Sequence, residues 1–265
     1  LGSERFGHGN YVRHIAYSPD GKMIASWGGD FRCRFWDASS GRLIWSTPSP
    51  YRMPVFSPDG RHVAMSSGAH ISLVSLETGR EVRSFCKHDR EITWIGFARG
   101  GRRLVSVSND RTIRVWHVGL GWQLRKIKLG RVWGQSLSTV AMSDDGKLLA
   151  VVMGYSSVSL FNLDTGRQAG QFKTPSPAWV YSMAFIGEDG RILCGRLHDS
   201  KALFWNVRDG HICEGVAPFY RQGVFAVSPD KRIVAYAEGG RIRLDDCSTG
   251  SELPGGDTVD SLEGA

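Results

Sequence analysis

The chain has 265 residues, of which 41% are hydrophobic, and it carries a formal net charge of +7 at pH 7. It contains no apolar run long enough for a transmembrane helix, so we expect no membrane insertion and a soluble, cytoplasmic protein. The five cysteines are scattered along the sequence without a Cys-x-x-Cys pair, which predicts neither a disulfide framework nor a zinc site.

The first predicted element is a unit of short strands that runs from Tyr17 to Asp37. Its turn Ser18–Gly21 combines a proline that presets φ, an aspartate that accepts backbone N–H groups and a glycine that tolerates positive φ. An apolar run at 23–26 follows, and the turn Gly28–Asp30 leads into a strand that contains Trp36. A unit of this kind cannot bury its own apolar face, so it needs copies of itself.

The copies recur every 39 to 45 residues along the chain. A second turn signal, Thr/Ser-Gly or a relative of it, follows each copy in phase with the first. The first signal lies at Ser18–Gly21, Ser57–Gly60, Ala98–Gly101, Ser143–Gly146, Gly187–Gly190 and Ser228–Lys231, and the second at Gly41, Gly79, Gly121, Gly166, Gly210 and Gly250. This period, with four strands in each unit, is typical of propeller blades.

The sequence therefore predicts an all-β fold, a propeller of six four-stranded blades in a single domain, 1–253. The predicted repeats are 11–46, 51–85, 92–129, 137–172, 180–216 and 222–253. Residues 1–6 are expected to supply the outer strand of the last blade and close the ring, and 254–265 to form a flexible tail. A seven-bladed propeller that lacks one blade remains the alternative.

Two residue pairs carry a family resemblance. Gly7-His8 stands before the first repeat, and Trp36-Asp37 closes its third strand. With these motifs the chain resembles the WD40-repeat propellers over nearly all of its length, and its Ser-Pro-Asp-Gly turns are similar to those of bacterial WD40 proteins, which are often domains of longer chains. A first residue Leu1 that is not methionine is compatible with such a fragment.

The resemblance implies a buried hydrogen-bonded set of histidine, serine, aspartate and tryptophan within a blade. Matched by position, one set comprises His8, Ser26, Asp30 and Trp36, a second comprises His88, Ser106, Asp110 and Trp116, and a partial set comprises Asp199 and Trp205. Such groups can satisfy one another's hydrogen bonds inside a core. The second, fourth and sixth repeats keep neither the aspartate nor the tryptophan, so apolar packing is expected to hold those blades together.

Histidine, serine and aspartate are also the residue types of the catalytic triad of hydrolases, so a catalytic role for each set is an alternative. Each serine, however, lies in mid-strand between apolar neighbours, and the sequence has no Gly-x-Ser-x-Gly elbow. The set also occurs twice at the same phase, which favours a structural role over an active site. We find no catalytic, cofactor-binding or metal-binding motif and expect a protein that is not an enzyme.

The resemblance implies a scaffold for protein or peptide partners, bound at the face formed by the connections between blades and the turns between second and third strands. Aromatic and arginine side chains are the usual anchors of such interfaces. The candidates by position are Arg13, Arg52, Trp94, Trp133, Trp179, Tyr181 and Tyr220. A nucleic-acid or polyanion binder with a basic face is the alternative suggested by the net charge, and an enzyme with a central-channel site is a third hypothesis.

Overall fold

The computed structural model describes residues 8–48, 52–130, 137, 139–154, 157–173, 180–186, 192–197, 202–208, 225–228, 232–238 and 241–246. The chain divides into two compact units. The first comprises Leu1–Arg131 with Ser136–Ser138, and the second comprises Val132–Gln135 with Thr139–Ala265. The predicted closing strand 1–6 and the predicted tail 254–265 lie outside the described residues.

The first unit contains three antiparallel sheets of four strands, each formed by consecutive strands of the chain. The first sheet consists of β1 (Val12–Tyr17), β2 (Met23–Gly28), β3 (Arg32–Asp37) and β4 (Leu43–Pro48). The second consists of β5 (Arg52–Phe56), β6 (His62–Ser67), β7 (His70–Ser75) and β8 (Glu81–Cys86). The third consists of β9 (Ile92–Ala98), β10 (Arg103–Ser108), β11 (Thr112–His117) and β12 (Gln123–Lys128).

The second unit contains one four-stranded sheet and two sheets with three described strands. The fourth sheet consists of β13 (Val140–Met142), β14 (Leu148–Val152), β15 (Ser157–Asn162) and β16 (Gln168–Lys173). The fifth consists of β17 (Val180–Ile186), β18 (Ile192–Leu197) and β19 (Ala202–Asn206), and the sixth of β20 (Phe225–Val227), β21 (Ile233–Glu238) and β22 (Arg241–Asp246). The predicted fourth strands of these two repeats fall outside the described residues.

The turn between the first two strands of a sheet is held by its own serine and aspartate. Ser18 Oγ donates to Asp20 Oδ1 at 2.6 Å, and the same carboxylate oxygen accepts the Lys22 backbone N–H at 3.1 Å. Gly21 has a φ of 70°, the left-handed conformation that glycine adopts without steric cost. The turns that begin at Ser57 and Ser143 repeat these contacts, so one short motif reverses the chain at the same place in three sheets.

Within each unit, consecutive sheets pack face to face, as the second and third sheets and the fourth and fifth sheets do. In β11, Trp116 and Val115 pair with Leu104 and Val105 of β10, so the two positions lie on opposite faces of the third sheet. The face of Trp116 packs on the second sheet, where its indole lies 5.6 Å from the ring of Phe85 on the outer strand. In the second unit, Trp205 of the fifth sheet packs on Phe172 of the fourth, with nearly parallel rings whose centroids are 6.1 Å apart.

The described part of the chain is thus all β, and its four-stranded antiparallel sheets are of the type that forms propeller blades. The predicted fold class is confirmed at that level. Closure of a ring and the number of blades in it remain predictions. Among the described residues, no helix has the length and apolar character needed to cross a membrane.

Candidate functional site

The first sheet brings one predicted histidine–serine–aspartate–tryptophan set together. His8 Nδ1 lies 3.1 Å from Asp30 Oδ1, and its Nε2 lies 2.7 Å from Ser26 Oγ. The Trp36 indole N–H donates to the same serine oxygen at 2.7 Å. Because a carboxylate only accepts, His8 Nδ1 carries the proton, and Nε2 then accepts from the serine hydroxyl. The chain of hydrogen bonds therefore runs without interruption from the indole to the turn carboxylate.

The third sheet contains a second set with almost the same distances. His88 Nδ1 lies 2.8 Å from Asp110 Oδ2 and its Nε2 2.7 Å from Ser106 Oγ, which accepts the Trp116 indole N–H at 2.9 Å. Thr112 extends this set, since its hydroxyl donates to Asp110 Oδ1 at 2.7 Å. This second set is the more deeply buried, because the side chain of Asp110 is 3% exposed, whereas that of Asp30 is 15% exposed.

An arginine on the third strand distinguishes the two sets. Arg34 Nη1 donates to Asp30 Oδ2 at 2.6 Å, so this carboxylate has a cationic partner in addition to the histidine. Arg114 occupies the same position in the third sheet, but its Nη2 is 3.8 Å from Asp110 Oδ2 and its Nη1 donates to Gln123 Oε1. Neither arginine belongs to the sets predicted from the sequence, although both stand two residues before the tryptophan of the set.

The turn carboxylates are held ionised by their hydrogen bonds. Burial alone would raise the pKa of Asp110, but the bonds from Thr112, His88 and the Asp89 backbone outweigh it, so the pKa is lowered. Burial lowers the pKa of His88 below its ordinary 6.5, and its bond to Asp110 only partly opposes this effect. The resulting pair is a neutral imidazole on an ionised carboxylate, a stable arrangement for a core.

The geometry of the sets does not suit catalysis. Ser106 is 0% exposed and its hydroxyl lies between an imidazole and an indole, so no substrate carbonyl can approach it. Ser26 has the same two partners and is also buried. Among the described residues, no group of three or more histidine, cysteine, aspartate or glutamate side chains could hold a metal ion.

The remaining sheets replace parts of the set with apolar residues. The register of β18 and β19 pairs Gly195 with Leu203, which puts a glycine where the first sheet has Ser26. Without a serine hydroxyl, the Trp205 indole N–H donates instead to the backbone oxygen of Lys173 at 3.4 Å. Asp199, the other member of the predicted partial set, lies outside the described residues. The same register puts Met65 in the second sheet and Val151 in the fourth at the serine position.

Comparison with known families identifies these repeats. The family model "WD domain, G-beta repeat" matches residues 3–37 and 79–117, the two segments that contain the tryptophans of the complete sets. The chain contains WD40 repeats.

Curated relatives of this WD40 protein come from several organisms. The chain is 28% identical over 129 residues to the small ribosomal subunit protein RACK1 of Schizosaccharomyces pombe, an alignment that covers 44% of this chain and 41% of the relative. It is 28% identical over 151 residues to human pre-mRNA-processing factor 17, with 54% and 26% covered. It is 31% identical over 108 residues to the target of rapamycin complex subunit wat1 of S. pombe, with 38% and 34% covered. The chain thus spans less than half of the length of these relatives.

The predicted partner-binding residues of the WD40 protein fall in three groups. Trp133, Trp179 and Tyr220 lie outside the described residues. Three others lie on described strands, but their side chains are outside the description: Arg13 on β1, Arg52 on β5 and Tyr181 on β17. Trp94 on β9 is half-buried, and its indole lies over Gly96, where an added methyl group would collide with the ring. This contact gives Trp94 a packing role within its own strand.

Two exposed aromatic residues that are not among the predicted partner-binding residues flank the turn between β2 and β3. Tyr11 is 57% exposed, and its ring covers Gly29 so closely that an added Cβ would lie 2.9 Å from it. Phe31 is 67% exposed and has a φ of 55°. This conformation is strained for an aromatic residue, and the equivalent Arg111 of the third sheet shares it. The signal in the sequence for this pair is Phe31, a large aromatic residue directly after the turn aspartate Asp30.

Proposed function

We propose that this WD40 protein is a non-enzymatic scaffold that binds protein partners. The buried serines of its histidine-containing sets argue against hydrolysis, so the function must lie on its surface. By their names, two of its relatives are components of larger assemblies, a small ribosomal subunit and the target of rapamycin complex. Membership of such an assembly is the role we infer for this chain.

The observation that carries the proposal is the exposed aromatic pair, Tyr11 and Phe31, on the first sheet. The two residues bracket one turn, since the Gly29 N–H donates to the Tyr11 oxygen at 2.8 Å and the Phe31 N–H donates to the Gly28 oxygen at 3.1 Å. Aromatic side chains contribute disproportionately to binding energy when a partner covers them. A strained backbone that presents a ring to solvent is also more typical of binding sites than of surfaces without function.

A suitable test variant removes both rings without unfolding the protein. Phe31→Gly relieves a left-handed conformation that costs an L-residue about 1–2 kcal/mol. It also loses the buried third of the ring, worth about 1.5 kcal/mol at about 25 cal/mol per Å². These two effects nearly cancel. Tyr11→Ser adds the loss of the buried part of the Tyr11 side chain, worth about 2 kcal/mol, so we expect the free energy of unfolding of the Tyr11→Ser/Phe31→Gly variant to fall by about 2 kcal/mol, which leaves the protein folded.

The experiment is a quantitative affinity purification from nuclease-treated cell lysate. Wild type is compared with the Tyr11→Ser/Phe31→Gly variant and with Leu43→Ser, a matched control that removes an exposed apolar side chain from β4. We expect at least one protein that wild type and the control retain and that the double variant loses at least tenfold. Identical protein profiles for all three would refute the aromatic site, and retention that depends wholly on nucleic acid would favour the polyanion alternative.

A further inference from the structure

Among the described residues, the outer strand of the third sheet, β12, pairs with another strand on one side only. It pairs with β11 on one side and ends its sheet on the other. The Leu129 N–H donates to the Arg111 oxygen at 2.9 Å, which extends the ladder and fixes which backbone groups point inward. By the antiparallel alternation, Ile127 exchanges bonds with Ile113, and the N–H and C=O groups of Lys126 and Lys128 point away from β11. The side chains of these two lysines are exposed on a common face.

The charge of β12 sets it apart from the other described outer strands. Its sequence, QLRKIK, has three cations and no carboxylate. The outer strand β4 has no charged residue, β8 has one residue of each sign and β16 has a single lysine. This edge is therefore the most cationic outer strand of the described sheets.

Exposed apolar side chains accompany these cations. Trp122 is 68% exposed and Leu124 is 46% exposed, immediately before and within β12. In the first, second and fourth sheets the position of Trp122, directly after the turn glycine, is an arginine: Arg42, Arg80 and Arg167. The third sheet alone among these four has replaced a charged turn residue with the largest apolar side chain. The strand thus combines free backbone groups, positive charge and an aromatic anchor.

We propose that β12 is a docking edge for an acidic, extended segment of a partner protein, which adds to the third sheet as a further strand. The outward backbone groups of Lys126 and Lys128 supply the ladder, and their ammonium groups face carboxylates at alternate positions of the added strand. Trp122 and Leu124 contact an apolar residue at its end. Two copies of β12 repel each other, because edge lysines oppose pairing of like strands, so the same charges select an acidic partner. This surface is separate from the aromatic pair on the first sheet and does not depend on it.

The test measures binding of a fluorescein-labelled peptide that alternates glutamate and threonine, by fluorescence anisotropy on the full chain. We expect Lys126→Glu/Lys128→Glu to weaken binding at least tenfold, and Lys126→Arg/Lys128→Arg to retain it within threefold. The matched control, Lys87→Glu/Lys173→Glu, makes the same charge change at exposed positions outside β12 and should also bind within threefold of wild type. Equal losses in both charge-reversal variants would overturn the proposal, as would the absence of binding to wild type.

A second peptide separates strand addition from simple charge attraction. N-methylation of alternate residues leaves every carboxylate in place but removes the N–H donors that a new ladder requires. We expect this peptide to bind at least tenfold more weakly than the parent. Equal affinity for the two peptides, or equal competition by a single-stranded oligonucleotide, would overturn strand addition in favour of a general polyanion surface. A melting temperature that is the same for all variants shows that the fold is intact.

Discussion

Removal of one hydroxyl tests whether the buried sets hold the WD40 sheets together. Ser106→Ala deletes the oxygen that joins Trp116 to His88 in the third sheet. Both partners are buried, so water cannot replace the lost contacts. A buried polar group that loses its partner costs about 1–3 kcal/mol, and two groups lose theirs here. We expect the free energy of unfolding to fall by about 3 kcal/mol, which corresponds to a decrease in Tm of roughly 8 °C.

The assay is urea unfolding monitored by tryptophan fluorescence. Ser72→Ala on β7 is the matched control, because Ser72 is also buried in mid-strand but has no side-chain hydrogen bond to the described residues. The control should change the free energy of unfolding by less than about 0.5 kcal/mol. Ser26→Ala in the first sheet should cost less than Ser106→Ala, because the first set is less deeply buried at Asp30.

A double-mutant cycle gives the sharper test of the same contact. Trp116→Phe removes the indole N–H that donates to Ser106 Oγ, so the loss of this hydrogen bond is part of the cost of Trp116→Phe as well as of Ser106→Ala. The double variant should therefore cost at least about 1 kcal/mol less than the sum of the two single changes. Additive costs, or a Ser106→Ala variant as stable as the Ser72→Ala control, would refute the structural role of the set.

Three further predictions follow from the buried groups. Burial lowers the pKa of His88 below 6.5, so the unfolded chain binds a proton at this residue more readily than the folded chain does. The contribution of His88 to the free energy of unfolding should therefore be complete above pH 6.5 and decrease below it. The urea midpoints at pH 7.5 and pH 5 should differ less in His88→Gln than in wild type. Burial raises the pKa of the Cys33 thiol to about 12, so iodoacetamide should label the exposed Cys86 and leave Cys33 unmodified in the native protein, as mass spectrometry of peptides would show. Trp205→Phe loses only a 3.4 Å bond to a backbone oxygen, so calorimetry should give it a smaller loss of Tm than Trp116→Phe; an equal loss would contradict this ranking.

Much of the local fold could be predicted from turn chemistry. A serine, an aspartate and a glycine at fixed spacing suffice to reverse the chain, as at Ser18–Gly21, because all their contacts are local. The turn Ala98–Gly101 lacks that serine and aspartate and reverses the chain with positive φ at Arg99, Gly100 and Gly101. This backbone conformation could not be predicted from its sequence. The first repeat, expected to end at residue 46, continues to Pro48, because β4 still pairs with β3 where Pro48 lies opposite Arg32.

The interior contacts were less accessible from the sequence. Arg34 and Arg114 occupy equivalent positions, yet Arg34 donates a hydrogen bond to its aspartate and Arg114 donates one to a glutamine, a difference that depends on side-chain conformation and not on sequence spacing. The acceptor for Trp205 is a backbone oxygen 32 residues away in the preceding sheet, where no pattern within the fifth repeat could indicate it. Phe31 was not anticipated because an aromatic residue with positive φ opposes intrinsic preference.

The most direct test of the proposed function is hydrogen–deuterium exchange on the protein with and without a captured partner. We expect slower exchange at the amides of the turn Gly28–Asp30 and of Phe31 and Arg32, because the partner covers the aromatic pair. The turns Ser18–Gly21 and 38–42 lie at the opposite end of the same antiparallel sheet and should exchange as before. Protection confined to those opposite turns, with none at Phe31, would contradict the claim that this end of the first sheet binds the partner.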